Sequence, residues 1–407
     1  LDLHSFGLSD ELYIKMNARG KPLTIFENFK AKLEQKIKSF KTPWPIYNLH
    51  FKAGNIEAYE YFIHKIDTDW ADLFWPYRNE CSQDNTFDDE LMNFFRLIIA
   101  YQYLLNNKKS EENLAEAKSN LFGSGGDLEA TELSKYEELN CLNKDLIIRL
   151  INFLDLINNN GLTDNKIKKY LTERYYYSEE DTFKKVLANI AGYDDKLRFY
   201  AFYNYLSKLP ISQELNEWVR VIYNLTQNTI INTVDEFYKA LFAIDELCQF
   251  ETPILVTLKK GIDISGFSSA QLLEEKIKAH LLLKSKEWRE IIIQLEKHSF
   301  LDGQIGCILN FSGVLAFYRE HEACDWDEMQ DRHYREQFSK YAQSITAVFD
   351  LIKNSSSSID FLWERAVLSK GIYFTEKSGA KYNLLSSRDT RNNIPRDHSW
   401  RRLLRIN

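Results

Sequence analysis

The chain has 407 residues, of which 44% are hydrophobic and 27% charged, a globular balance long enough for a large core. Only 15 glycines and 7 prolines occur, which disfavours an all-β chain with many tight turns and favours long helices. No apolar run approaches the roughly 18 residues that a membrane helix needs, and no signal peptide opens the chain, so we expect a cytoplasmic protein.

The net charge of −7 is distributed unevenly. From Arg365 to Asn407 there are 10 basic and 3 acidic residues, a local charge of +7. The preceding residues carry 42 basic and 56 acidic side chains, a charge of −14. The sequence therefore predicts an acidic body that ends in a basic segment.

The first predicted elements are a strand, a turn and a helix. Apolar residues alternate from Leu12 to Met16, which predicts a half-buried strand, and Asn17-Ala-Arg-Gly20 supplies turn residues. Thr24 stands three residues before Glu27, the spacing of a capping box that opens a helix. One face of that helix carries Phe26, Phe29, Leu33 and Ile37.

This strand, turn and Thr-x-x-Glu-Asn-Phe-Lys helix resemble the end of the ParB/sulfiredoxin-like "domain of unknown function 262" family, which includes GmrSD-type modification-dependent restriction proteins. The resemblance continues through the stretches Ile66–Arg78, Gln271–Leu283, Glu296–Gly306 and Arg396–Arg405. It implies a ParB-like α/β fold at the start of the chain and a role in NTP-dependent DNA restriction.

In that family the turn faces a nucleotide pocket, so the resemblance makes Asn17, Arg19 and Lys21 candidate nucleotide-binding residues. The implied cofactor is a nucleoside triphosphate with Mg. The alternative is a tight turn in which Arg19 pairs with Glu27 or Asp10. The family's Asp-Gly-Gln-Gln-Arg signature belongs upstream of this strand and is absent, so we interpret the chain as a fragment lacking the front of its first domain.

Helical patterns continue through most of the chain. We predict short helices at residues 55–65 and 70–77, a deeply buried helix at 88–104, and a joint near 106–127. Further helices are predicted at 145–157, 164–177, 179–190, 196–206, 213–227, 234–247, 272–283, 287–298 and 336–352. Two more capping boxes, Thr233 with Glu236 and Ser268 with Gln271, mark two of the starts.

The predicted fold class is mainly α, a multi-helix body with a small N-terminal α/β remnant of a ParB-like domain. Its predicted parts are residues 1–48, the end of the ParB-like domain, residues 49–353, the helical body, and residues 354–407, the basic segment. A second strand is predicted at Ile372–Thr375. Aromatic residues make up 14% of the chain, and we expect most of them to fill gaps between helices.

Acidic residues and histidines of two consecutive helices form one possible site. Glu274, Glu275 and His280 would meet Glu296 and His298 in an acid/base or metal cluster if the helices pack antiparallel. The commoner outcome for such residues is solvated charge on amphipathic helices, which is the interpretation we favour.

Four other motifs favour structural explanations. Asp302-Gly303-Gln304 fits a helix-terminating glycine better than a displaced nucleotide signature. The spacing of His321, Cys324 and His333 fits no closed zinc site. Too few residues follow His398 for a complete His-Asn-His nuclease, and the Glu-x-Lys at Glu274 lies in a predicted helix rather than a strand. The five cysteines are odd in number and far apart, which predicts reduced thiols.

The basic end is the strongest candidate for nucleic-acid binding. Its arginines would neutralise several phosphates: Arg388, Arg391, Arg396, Arg401, Arg402 and Arg405. The alternative, which we favour slightly, is docking on the acidic body through a helical face of Trp400, Leu403 and Leu404.

The resemblance and the basic end together predict a bacterial defence component that binds DNA or nucleotide, with no complete nuclease site in these 407 residues. DNA and a nuclease subunit or domain are the expected partners. The alternative is a non-catalytic helical interaction module that recruits such a nuclease.

Overall fold

Helices dominate the computed structural model of the chain, which describes residues 24–40, 43–49, 52–81, 83, 85–107, 111–123, 127–131, 133–160, 166–171, 174–354, 388–389 and 396–397. The fold class is mainly α, as predicted, with two short antiparallel hairpins among these residues. In the described part of the chain, no helix is both long and apolar enough to cross a bilayer. The strands predicted at Leu12–Met16 and Ile372–Thr375 lie outside the described residues.

The chain divides into two units, one with the described residues of 24–171, 178–211 and 232–241, and the other with those of 174–177, 212–231, 242–354, 388–389 and 396–397. Unit 1 contains α1 (Ile25–Ser39), β1 (Tyr47–Leu49), β2 (Lys52–Ile56), α2 (Ala58–Asp67), α3 (Asp69–Phe74), α4 (Asp88–Asn106), α5 (Glu111–Asn120), α6 (Leu133–Glu138), α7 (Lys144–Asn160), α8 (Lys166–Tyr170), α9 (Glu179–Leu187) and α10 (Tyr193–Lys208).

Unit 2 contains α11 (Glu214–Gln227), α13 (Ile254–Lys259), α14 (Ser269–Lys284), α15 (Lys286–Glu296), α16 (Gly306–Phe311), α17 (Val314–His321), α18 (Glu328–Asn354), β3 (Arg388–Asp389) and β4 (Arg396–Asp397). Helix α12 (Val234–Leu247) belongs to unit 1 up to Leu241 and to unit 2 from Phe242.

Helix α1 begins as the sequence predicts. The Glu27 amide donates to Thr24 Oγ1 at 3.1 Å, and the Thr24 amide donates to Glu27 Oε2 at 2.7 Å, which forms the capping box. All four residues of the predicted apolar face are buried. Two of them, Phe26 and Phe29, meet Phe95 of α4 edge to face, with centroids 5.9 and 5.6 Å apart.

The hairpin β1–β2 was not predicted. Tyr47 pairs with Ile56 in its register, and both side chains are buried. Tyr47 also stacks on Tyr61 of α2, with ring centroids 4.8 Å apart. Because β2 extends to Ile56, helix α2 begins at Ala58 rather than at the predicted Asn55. The hairpin was not predicted because its strands are too short to show an alternating pattern in the sequence.

Aromatic rings fill the core of unit 1. Helix α4 is buried on nearly every face, as predicted. Its Phe94 makes edge contacts with Phe74 and Phe183 at centroid distances of 5.8 and 6.4 Å. Trp70 is also fully buried and donates its indole N–H to Asp155 at 3.1 Å. These rings serve packing between helices, which was the expected explanation for the aromatic content.

Two indoles share one carboxylate in unit 2. Trp288 of α15 and Trp326 donate to Asp331 Oδ1 at 3.0 and 2.7 Å. Asp331 lies in the first turn of α18, the longest described helix. The shared acceptor fixes the start of α18 against α15.

The predicted helix at 164–177 is wrong in extent. Helix α8 ends at Tyr170, and Arg174 to Tyr176 form a turn. Tyr176 donates its hydroxyl to Glu296 Oε2 at 2.8 Å, and Tyr175 donates to Asp302 Oδ1 at 2.9 Å. Hydrogen bonds to residues distant in sequence therefore override the local helical pattern.

Candidate functional site

The most unusual site of the described chain is a buried cluster of charges in unit 2. Lys278 Nζ lies 2.8 Å from Glu274 Oε1, 2.8 Å from Glu275 Oε1 and 3.0 Å from Glu296 Oε1. It also donates to the Gly303 carbonyl at 2.6 Å. Each of the four charged side chains is at most 1% exposed. We call these four residues and Arg220 the charge cluster.

Helical spacing brings the first three members together. Glu274 and Glu275 precede Lys278 by four and three residues on α14, so all three share one face of that helix. Glu296 is the last residue of α15, and the next helix position, Lys297, serves as its C-cap. The end of α15 thus places a third carboxylate over the α14 lysine.

Arg220 enters the cluster from the middle of α11. Its Nη1 lies 2.8 Å from Glu296 Oε1 and 3.3 Å from Glu275 Oε2. Its Nε donates to Glu217 Oε2 at 3.0 Å, and Glu217 also pairs with Arg289 of α15. The guanidinium therefore joins α11 to both α14 and α15 by charge-assisted hydrogen bonds.

Asn224, one helical turn after Arg220, reinforces the same contact. Its side-chain amide donates to Glu275 Oε1 at 3.0 Å and to Glu296 Oε1 at 2.8 Å. The buried side chain of Gln271 donates to Glu275 Oε1 at 3.2 Å and to the Gly303 carbonyl at 3.3 Å. The neutral amides of Asn224 and Gln271 thus donate further hydrogen bonds to the carboxylates of the cluster.

Gln271 does not form the capping box that the sequence predicted with Ser268. Ser268 is the N-cap of α14, but its side chain makes no capping hydrogen bond. The Gln271 side chain turns into the charge cluster, where it bonds Glu275 and Gly303. The Gln271 side chain hydrogen-bonds the buried Glu275 carboxylate in preference to the exposed N-terminus of α14, because a carboxylate is the stronger acceptor. By contrast, the box of Thr233 with Glu236 is formed.

The loop after α15 closes the cluster. Gly303 has φ +82°, and a Cβ built on it would come 2.3 Å from Asn224 Oδ1, so only glycine fits there. The Ile305 amide donates to Glu274 Oε1 at 2.7 Å. The prediction that Gly303 ends the helix is wrong, because α15 has already ended at Glu296 and this glycine shapes the following loop.

Asp302 anchors the same loop from the other side of Gly303. It accepts hydrogen bonds from Tyr223 at 2.6 Å, Tyr175 at 2.9 Å and Gln227 at 2.6 Å. The Asp-Gly-Gln motif therefore has a structural role in unit 2, since its carboxylate and its glycine both hold the loop against α11.

Burial and charge shift the pKa values in opposite directions. Burial raises the pKa of Glu274 to about 7, despite the nearby Lys278 ammonium. Burial alone would also raise the pKa of Glu296, but Arg220 and Lys278 hold it below its usual value. Burial disfavours the Lys278 ammonium, yet the three surrounding carboxylates raise its pKa. One carboxyl group of the cluster thus titrates near neutral pH.

A count of charges agrees with this result. Glu217, Glu274, Glu275 and Glu296 supply four carboxylates. Arg220, Lys278 and Arg289 supply three cations. A proton on Glu274 makes these seven ion-paired side chains neutral as a group, which favours the protonated form.

The structure corrects the expectation for the acidic helices. Glu274, Glu275 and Glu296 are not solvated, since they converge in the core as a sealed, ion-paired group. Neither histidine joins them, because His298 lies 3.4 Å from Asp350 of α18 and His280 packs against Tyr318. Among the described residues, no group of three or more His, Cys, Asp or Glu side chains fits a metal ion. The cluster therefore connects α11, α14 and α15 through buried ion pairs.

Most of the other predicted site residues lie outside the described part of the chain, and two lie within it. Asn17, Arg19 and Lys21 lie outside the described residues, as do Arg391, Arg401, Arg402 and Arg405 and the apolar face of Trp400, Leu403 and Leu404. Arg388 and Arg396 occur in the β3–β4 hairpin, where the register places Arg388 opposite Asp397 and Arg396 opposite Asp389.

The sequence analysis missed Arg220, Asn224 and Lys278. A signal for the first was present, because Arg220 interrupts an apolar run between Trp218 and Ile222, where a charged residue has to be buried with its helix face. Lys278 follows two glutamates at helical spacing, but this pattern is usual for exposed helix faces. The sequence does not distinguish a buried triad from a solvated one.

Comparisons of the chain with protein-family models, with curated proteins and with solved structures gave no match.

Proposed function

We propose that the chain is a component of a bacterial defence system that restricts foreign DNA, acts in the cytoplasm and binds DNA or nucleotide. The proposal follows from the resemblance of its first strand, turn and helix to the ParB-like family. Residues 1–48 would then be the remnant of a ParB-like domain, residues 49–353 its helical body, and residues 354–407 a basic DNA-contacting segment.

The observation that carries the DNA part of the proposal is the separation of charge. The last 43 residues carry +7 and the rest of the chain −14, taken from the counts of acidic and basic residues. A duplex presents one phosphate per ~1.7 Å, so a basic segment gains affinity by releasing counterions, while an acidic body is repelled. Contact would therefore concentrate at the six arginines of the basic end.

For nucleotide binding, the support is the position of helix α1. Its capping box places the first helical residue at Ile25, directly after the segment with Asn17, Arg19 and Lys21. In the proposed arrangement these side chains contact the phosphates of a nucleoside triphosphate with Mg. Arg19→Ala would then weaken binding of a fluorescent nucleotide analogue, whereas the exposed Arg332→Ala would not.

The DNA proposal is tested by fluorescence anisotropy of a duplex over a salt series. One variant has glutamine at all six arginines of the basic end, Arg388, Arg391, Arg396, Arg401, Arg402 and Arg405. A control variant carries the same charge change at six exposed lysines of the body, Lys32, Lys184, Lys185, Lys259, Lys260 and Lys286. The slope of log K against log salt should fall by about 0.9 for each lost phosphate contact, only in the first variant. Equal slopes in all three proteins would reject the basic end as the DNA contact.

A second candidate function is the interaction module that recruits a nuclease, and one surface favours it. Trp75 is 48% exposed, and the Arg78 guanidinium lies 4.5 Å from its ring centroid. Tryptophan and arginine are the residues most often found at the energetic centres of protein interfaces. Trp75 is therefore the candidate contact of this surface, whereas Trp70 of the same segment is buried in the core.

The affinity for a purified nuclease distinguishes the interaction-module function from the DNA-binding function. With a purified candidate nuclease, Trp75→Ala should lower affinity at least tenfold if the module function holds, while leaving the DNA slope unchanged. The exposed Met329→Ala in unit 2 is the control. Unchanged nuclease affinity for Trp75→Ala would remove this surface from the module hypothesis.

A further inference from the structure

A cavity of about 310 Å³ lies within unit 1, between helices α7 and α10. Asp145, Arg149 and Asn152 of α7 line one side, and Ser207 and Lys208 of α10 line the other. The volume is at the lower end of the ~300–1,000 Å³ typical of small-molecule sites. It fits a small metabolite rather than a macromolecule.

Arg149 is held in a fixed orientation at this cavity. Its Nε donates to Gln102 Oε1 at 2.6 Å, and Gln102 in turn donates to Asn106 at 2.9 Å. The guanidinium carbon lies 5.7 Å from the ring centroid of Tyr200, and Nη1 is 3.5 Å from the Tyr200 hydroxyl. Among the described residues, no hydrogen bond involves Nη2 of Arg149. A guanidinium fixed in this way is prepared to bind an oxyanion without a further loss of side-chain entropy.

The remaining lining residues suit an anionic ligand with polar substituents. Arg149 and Lys208 carry two positive charges against one negative charge on Asp145, a net charge of +1. Asn152 and Ser207 are exposed at the opening, where Asn152 offers an amide and Ser207 a hydroxyl oxygen whose proton is donated to the Asn204 carbonyl at 2.8 Å. Phe153 is almost fully buried and supplies an apolar floor. This combination of a few charged and neutral polar groups over an apolar floor is typical of specific small-molecule sites.

We propose that this cavity binds a small molecule through a single oxyanion, a carboxylate or a phosphate, with Arg149 as the principal contact. Gln102 orients the guanidinium, and Asn152 and Ser207 orient the rest of the ligand. The lining of this cavity includes none of the proposed nucleotide contacts Asn17, Arg19 and Lys21 and no residue of the basic end, so the site goes beyond the proposed function.

Isothermal titration of the full chain at constant ionic strength tests the proposal with two probes, inorganic phosphate and succinate. Binding of phosphate alone identifies a phosphoryl ligand, binding of succinate alone identifies a carboxylate ligand, and binding of both supports a general oxyanion site. Arg149→Gln should lower the affinity for the bound probe at least tenfold, whereas the exposed Arg332→Gln of unit 2 should not change it. If neither phosphate nor succinate gives heat of binding at about 10 mM, the proposal is overturned.

A second variant tests the proposal if Arg149→Gln fails to fold. Asn152→Trp places a bulky ring at the cavity opening and leaves the bond between Arg149 and Gln102 in place. It should abolish probe binding while the circular dichroism spectrum and the unfolding midpoint stay as in the parent chain. Retained binding in either variant would show that the probe binds elsewhere, which also overturns the proposal.

Discussion

Replacing Glu274 by glutamine is expected to remove a pH-dependent cost that the charge cluster imposes on folding. Burial raises the pKa of this carboxyl group from 4.5 to about 7. The folded chain therefore binds this proton more tightly than the unfolded chain does. The stabilisation is complete below about pH 4.5 and is lost as the pH rises through about 7.

The size of the effect follows from the shift. A difference of about 2.5 pKa units corresponds to about 3.4 kcal/mol in total, of which about 2.5 kcal/mol develops between pH 5 and pH 8. Glutamine keeps the shape of the protonated carboxyl group and stays neutral at every pH. Relative to the parent chain, the free energy of unfolding of Glu274→Gln should therefore rise by about 2.5 kcal/mol across this range.

Urea denaturation at pH 5, 6, 7 and 8 measures this difference. The lowered pKa values of Glu217 and Glu296 make both proteins less stable at acid pH, and this trend cancels in the comparison. Glu290→Gln is the matched control, because that side chain is 65% exposed on α15 and pairs only with Lys286 among the contacts of the described chain. A constant difference between Glu274→Gln and the parent chain from pH 5 to pH 8 would refute a neutral Glu274.

Two substitutions test the packing of the same region. Lys278→Met leaves three buried glutamate side chains without their shared cation and should cost about 3–5 kcal/mol in urea unfolding, whereas Lys286→Met, at an 84% exposed side chain, should change stability by less than about 0.5 kcal/mol. Gly303→Ala adds a clash with Asn224 to an unfavourable φ, while Gly261→Ala meets nothing within 4 Å at a similar φ of +79°. The first should therefore cost at least about 1 kcal/mol more, and equal costs would show that the loop relaxes.

Local rules predicted several of the helices, but not α5, α6, α13, α16 and α17. The capping boxes at Thr24 and Thr233 are formed, and α12 has the predicted bounds. The buried face of α1 and the burial of α4 also follow from apolar spacing. Each of these features depends on residues within a few positions of one another, so a single sequence contains the necessary information.

The charge cluster was less predictable because its partners are far apart in sequence. Arg220 is 55 residues from Glu275 and 76 from Glu296. Glu274 and Glu275 were correctly considered together with Glu296, but the favoured interpretation placed them in solvent. Burial depends on which helix covers that face, and α11 supplies the cover together with the counterion. The same tertiary contacts redirect Gln271 away from its predicted cap.

The shared use of Glu296 has a consequence for how unit 2 opens. Its carboxylate accepts from Arg220, Asn224, Lys278 and Tyr176, so α11, α14, α15 and the turn before α9 meet at one side chain. If one of these segments separates alone, it leaves buried charged groups without their partners in a medium of low dielectric constant. This costs more free energy than separating all the segments together. The amide hydrogens of these segments should therefore exchange with deuterium as one cooperative block rather than helix by helix.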